Sequence, residues 1–270
     1  MPGRTMWPMT DPFVPRVGAV LSADIAVPEH DRVRRFYAAV LRTGERPRWG
    51  ENLMNDLGLP IIGVGERVEA YEHLPLQWMP HIQVASVGTS VEKALSLGGR
   101  ELMHNKNDEG NSQWAVVADP NGAAFGLIPV SPALPPPSDD AEVAARASAG
   151  RIAWLDLTVP DAGTTRDFYR EVVGWSAQGQ EMKDAGETYD DYCMQVGGDA
   201  VAGVCHARGV NTGLPAVWVL YLPVGDLEQS VHEVEAGGGE VVKTSLGADG
   251  TASSVVIRDP VGACLALVPG

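Results

Sequence analysis

The sequence predicts an α+β protein built from four βαβββ units, paired into two tandem domains with curved mixed sheets. Three observations carry this: the chain repeats itself, strand-like and helix-like periodicities follow one another in the same order in each copy, and a Pro-rich stretch separates the copies. "DIAVPEHDRVRRFYAAVL" lies over "DLTVPDAGTTRDFYREVV", with Phe36-Tyr37 over Phe168-Tyr169 at a shift of 132. Farther on, Trp78 lies over Trp218 and Asp119-Pro120 over Asp259-Pro260, at a shift of 140. The second copy therefore carries eight extra residues, placed in "GQEMKDAGETYDDY".

Each copy opens on a strand with period-two alternation. Leu21, Ala23, Ile25 and Val27 point one way, with Ser22, Asp24 and Ala26 opposite. In the twin, Ala153, Leu155, Leu157 and Val159 oppose Trp154, Asp156 and Thr158. A helix follows, apolar at Val33, Phe36, Tyr37, Val40 and Leu41, and at Phe168, Val172 and Val173 in the second copy. Glycine-punctuated strands come next, and the order restarts at Trp78 and Trp218 with the helices "SVEKALSLGG" and "LEQSVHEVEAGGG". Helices so placed cover one sheet face and leave the other free to curl around a ligand. The expected boundaries are an arm over 1–17, a first domain over 18–130, a linker over 131–149 rich in Pro and small residues, and a second domain over 150–270.

Composition narrows the partners. A net charge of −15 argues against nucleic acid and anionic membrane surfaces, which would repel the chain. No apolar run approaches the roughly 18 residues of a membrane helix, and the Pro-rich start is no signal peptide, so a cytoplasmic protein is expected. Three cysteines without a CxxC pair, Cys193, Cys205 and Cys264, read as small buried hydrophobes. The helix-closing glycines of "SLGGR" and "EAGGGE" lack the Lys-Ser/Thr of a phosphate loop, and no Ser-His-Asp spacing stands out. An organic small molecule is the expected partner, and a monomer or weak homodimer the expected state.

The unit order, the "FY" of the first helix and the closing "DPNG" and "DPVG" turns resemble the vicinal oxygen chelate superfamily of glyoxalases, bleomycin-resistance proteins and extradiol dioxygenases. "RIAWLDL", "VCHARG" and the tandem layout are similar to two-domain actinobacterial glyoxalase-like proteins. The resemblance implies a metal site drawing on the first strand of each unit and the last strand of the domain. Carried over, those positions fall on Ser22, Met79 and Gly126, and on Trp154, Val219 and Ala266. None supplies a His nitrogen or a carboxylate, so no metal and no cofactor are expected; a small slip in alignment would bring in His81 alone.

The free sheet face then offers other groups. Asp24 and Asp156 occupy the same place in each copy, as a ligand anchor or general base, or as parts of a structural network. In the strands after Trp78 and Trp218, Met79, His81 and Gln83, or Val219 and Tyr221, share a face opposite the helix, while both tryptophans belong to the core. His81 and Tyr221 bring one donor-acceptor group each, Thr158 lies on the Asp156 side, and the resemblance makes Trp114 and Trp154 aromatic walls. His206 and Arg208 are expected at the rim. These features point to metal-independent binding of an apolar or aromatic molecule, in sequestration or antibiotic resistance, or alternatively to a natural-product tailoring enzyme using the cavity carboxylate. A metal-dependent glyoxalase or dioxygenase fits less well.

Overall fold

A computed structural model describes residues 15–41, 52–54, 60–130 and 152–270. Residues 1–14 of the expected 1–17 arm and the linker over 131–149 lie outside the described residues. The first unit runs β1 (Val20–Val27), α1 (His30–Leu41), β2 (Asn52–Met54) and β3 (Pro60–Glu66), and the second β4 (Met79–Val84), α2 (Val87–Ser96), β5 (Arg100–Lys106), β6 (Ser112–Ala118) and β7 (Ala124–Pro129). The third comprises β8 (Trp154–Val159), α3 (Ala162–Val173), β9 (Ser176–Asp184), β10 (Glu187–Val196) and β11 (Asp199–His206). The fourth comprises β12 (Trp218–Val224), α4 (Leu227–Ala236), β13 (Glu240–Leu246), β14 (Ala252–Arg258) and β15 (Cys264–Pro269). Three units have the expected strand-helix-three-strand order; in the first, two strands follow the helix among the described residues.

Local chemistry sets these bounds. Ser86, Asp161 and Asp226 cap α2, α3 and α4 by accepting from the amides of Thr89, Thr164 and Gln229. The extra residues of the second copy form the long β9–β10 hairpin, whose turn holds Ala185 and Gly186 at positive φ, the conformation a tight hairpin turn requires.

Two mixed sheets result, ordered β2-β3-β1-β4-β7-β6-β5 and β13-β14-β15-β12-β8-β11-β10-β9. At the centre of each, the two unit-opening strands pair antiparallel, β1 with β4 and β8 with β12. Across the domains α1 packs on α4 and α2 on α3. The apolar alternants Ala23, Ile25 and Val27 join Leu155, Leu157 and Val159 in one contiguous core. Both concave faces are thus left outward.

The core contains two reciprocal polar links. Trp78 and Trp218, both 0% exposed, donate their indole N–H to the hydroxyls of Tyr37 (3.3 Å) and Tyr169 (3.0 Å). Each tyrosine then donates to the Asp-Pro turn of the opposite domain, Tyr37 to Asp259 at 2.8 Å and Tyr169 to Asp119 at 3.4 Å. The same carboxylates accept the amides of Val261 and Ala263, and of Asn121 and Ala123, closing their turns.

Burial raises the carboxyl pKa of Asp119 and Asp259 above the ordinary 3.8. The folded chain holds those protons more tightly than the unfolded one. Their stability contribution is therefore full below the ordinary value and is lost as pH rises through the raised one. Asp259→Asn removes one titration while keeping an oxygen for the turn amides. The Tm of this variant minus that of the parent is expected to shift in the variant's favour as pH climbs from below 3.8 to neutrality. A difference that stays flat would count against the raised value.

Candidate functional site

Register brings the concave-face residues of domain one together. Ser22 on β1 pairs with His81 on β4, His81 with Gly126 on β7, and Gly126 with Val116 on β6. Asp24 follows Ser22 on the same face and pairs with Met79. Ser22 Oγ lies 2.9 Å from Nδ1 of His81, and Oδ2 of Asp24 lies 3.5 Å from Nε2. The imidazole occupies the space over Gly126, where an added Cβ would stand 2.5 Å from its Cδ2. Glycine at 126 is what lets the ring lie there. The Asp24 side chain is 48% exposed and that of His81 is 19% exposed.

The second domain repeats the row with other chemistry. Trp154, Tyr221, Ala266 and Val256 take the four places. Asp156 accepts from the indole N–H of Trp154 (2.9 Å) and from the hydroxyl of Tyr221 (2.8 Å) and is 5% exposed. Both its oxygens are engaged, in a space kept by Gly203 on the adjacent strand. Burial, with Asp156 nearby, pushes the Cys193 thiol up to about 11, which keeps it protonated and unreactive. The three cysteines are buried and free.

Equivalent straps cover the apolar part of each face. After β3 the chain turns through Glu69–Tyr71 and seats Leu74 on Ala26, Met79, Val116 and Ala124. His73 ties the strap to β5 through the Leu102 carbonyl (3.0 Å). In domain two Leu214 takes the corresponding place on Val219, Tyr221 and Val256, and Lys243 on β13 holds the carbonyl of Val210. The sequence reading missed these plugs, although Leu74-Pro75 and Leu214-Pro215 recur at the repeat shift of 140.

Several expectations change. Gln83 and Thr158 share the expected faces but are fully or almost fully buried, closed to a ligand by packing. Trp154 is a partner of Asp156 before it is a wall. His206 ends β11, three residues beyond Gly203, and sits with Asp191 (3.3 Å) and the Tyr189 ring, apart from Asp156. Arg208 stacks on Tyr189 and pairs with Asp184 and Glu187. Trp114, two residues along β6 from Val116, is 37% exposed and offers an open aromatic surface. A cleft of about 610 Å³ lies elsewhere, around the start of α1, but its Arg32, Arg67 and His30 are engaged with Glu29 and with backbone carbonyls.

The metal positions implied by resemblance are also re-placed. The row through Ser22 and Gly126 runs through His81, two residues from the expected Met79, and Tyr221 stands correspondingly for Val219. Residues i and i+2 share a face, so alternation alone could not separate them. The corrected row holds one imidazole, with Nδ1 directed to Ser22, and no carboxylate. Among the described residues no three His, Cys, Asp or Glu side chains gather as a metal ligand set. This donor set does not fit a divalent metal, which needs several such ligands converging.

Comparison with known proteins agrees with the fold. The profile described as "Glyoxalase-like domain" matches residues 21–128, and that of the "Glyoxalase/Bleomycin resistance protein/Dioxygenase superfamily" matches residues 151–267. The anthracycline biosynthesis protein DnrV of Streptomyces peucetius is 31% identical over 135 residues, 45% of this chain; the match spans about half of DnrV, 48%. CFP32 of Mycobacterium bovis is 26% identical over 199 residues, 74% of this chain and 72% of that protein. A variant of homoprotocatechuate 2,3-dioxygenase from Brevibacterium fuscum superposes with a TM-score of 0.59 at 15% identity, over 97% of this chain and 74% of that one. The 2,2',3-trihydroxybiphenyl 1,2-dioxygenase of Sphingomonas wittichii gives 0.56 at 16% identity, over 94% and 91%. At these identities the likeness is one of fold. Among the described residues no helix is long and apolar enough to cross a membrane.

Proposed function

Because this chain belongs to the vicinal oxygen chelate superfamily, with one such domain in each half, its concave faces are where a ligand is expected, and we propose that the first domain binds a hydroxylated aromatic small molecule without a metal. The observation that carries this is the contrast between the two carboxylates. Asp24 is half exposed beside His81, whereas Asp156 is buried and spends both oxygens on Trp154 and Tyr221. A phenolic hydroxyl donating to Asp24 would make a charge-assisted hydrogen bond. The Asp156 network serves the second domain's own structure. The names of DnrV and a second relative, DauV, place those proteins in anthracycline biosynthesis, which supports a polycyclic aromatic ligand.

Titration with 2,6-dihydroxyanthraquinone, whose hydroxyls are free to donate, followed by tryptophan fluorescence and calorimetry, tests the reading. One site per chain is expected. Asp24→Asn should weaken binding about 10- to 100-fold, the worth of a hydrogen bond to a charged group, while Asp156→Asn leaves Kd unchanged. Equal losses in both variants, or a stoichiometric divalent ion in the purified protein, would overturn the proposal. A second reading, a tailoring enzyme in which Asp24 or His81 moves a proton of the bound molecule, is favoured by their 3.5 Å approach. Mass spectrometry of the anthraquinone before and after incubation separates the two, since a binder returns it unchanged.

A further inference from the structure

Three polar groups on the first concave face form an ordered chain, Ser22 Oγ to His81 Nδ1 at 2.9 Å and His81 Nε2 to Asp24 Oδ2 at 3.5 Å. Strand geometry fixes that order. Ser22 and His81 are register partners across β1 and β4, Asp24 lies two residues from Ser22 on the same face, and the ring is seated against Gly126. For Nδ1 to accept the serine proton, Nε2 must carry the other hydrogen, and that nitrogen faces the carboxylate. Protonation of the ring then places an imidazolium beside Asp24, which stabilises it. Domain two has no counterpart, because Trp154 and Tyr221 stand at the serine and histidine places and both donate to the aspartate.

We propose that Ser22 is a nucleophile for acyl transfer, activated by His81 and Asp24, and that the first domain cleaves esters of phenols. The order nucleophile, base, orienting carboxylate is that of a catalytic triad, recognised by geometry and roles rather than by chain position. In the first step Ser22 Oγ bonds to the ester carbonyl carbon and its proton passes to His81 Nδ1. The ester C–O bond breaks, and the leaving phenolate takes that proton. Water then attacks the acyl-serine, gives a proton to His81, and releases the carboxylic acid as Ser22 Oγ recovers a hydrogen. The site is the one proposed above for binding, but the claim is separate: Ser22→Ala removes the covalent chemistry and leaves Asp24 to hold a ligand.

The test treats the full chain with p-nitrophenyl acetate and maps acetyl groups by peptide mass spectrometry. Acetylation of Ser22 with a matching burst of p-nitrophenolate is expected. Ser22→Ala should abolish both while the variant still unfolds in a single transition and retains the anthraquinone affinity. His81→Gln should slow acetylation about 100-fold, the contribution of a positioned base. No acetyl on Ser22, or an unchanged rate in His81→Gln, would overturn the proposal. Unchanged anthraquinone affinity in Asp24→Asn, with Ser22 acetylated in the parent, would overturn the binding reading and support this one.

Discussion

Replacing Tyr37 with Phe is expected to destabilise the folded chain by about 2–4 kcal/mol, a large effect for the loss of one oxygen atom. The hydroxyl is fully buried, accepts the N–H of Trp78 and donates to Asp259. Its removal leaves an indole donor without its acceptor and takes a donor from a carboxylate already burdened by burial. An unmet buried group costs about 1–3 kcal/mol, more when charged. The 2.8 Å bond of Tyr37 is shorter than the 3.4 Å bond of Tyr169, so Tyr169→Phe should cost less. Both links cross the domain boundary within one continuous core, so the parent should unfold in a single transition. Denaturant unfolding of both variants decides this; a loss under about 0.5 kcal/mol for Tyr37→Phe would mean the link contributes little.

The repeat made much of this fold legible. Its two shifts put equivalent residues on equivalent strands before any register was known, and alternation assigned Asp24 and Asp156 to the face opposite Ala23 and Leu155. Pairing between strands was not legible. Ser22 and His81 are 59 residues apart, and nothing in either segment states that they are opposite. For the same reason Met79 and His81 could not be told apart. Tyr37 reads as one more apolar helix residue, and its bond to Asp259, 222 residues away, comes from domain packing alone. The difference between the two carboxylates lies in their neighbours' donors: Trp154 and Tyr221 both point an N–H or O–H at Asp156, whereas Ser22 points at His81.

That closure of Asp156 makes Gly203 the next sensitive position. Gly203 pairs with Asp156 between β8 and β11, and a Cβ there would stand 2.2 Å from the carboxylate Oδ1. Strand pairing on both sides holds the β11 backbone, so the carboxylate must turn away and lose the indole N–H of Trp154. Crowding of about 1–3 kcal/mol adds to the loss of a part-buried hydrogen bond to a carboxylate worth a similar amount, so Gly203→Ala should cost about 2–6 kcal/mol. Trp154 fluorescence should change with it. Gly225→Ala is the control, since nothing lies within 4 Å of its added Cβ. Equal stability of the two variants would show that Asp156 is not held as described. Folded Gly203→Ala should still bind the anthraquinone at Asp24, because the strain falls in the second domain, where the carboxylate serves packing, and spares the first, where it stays open.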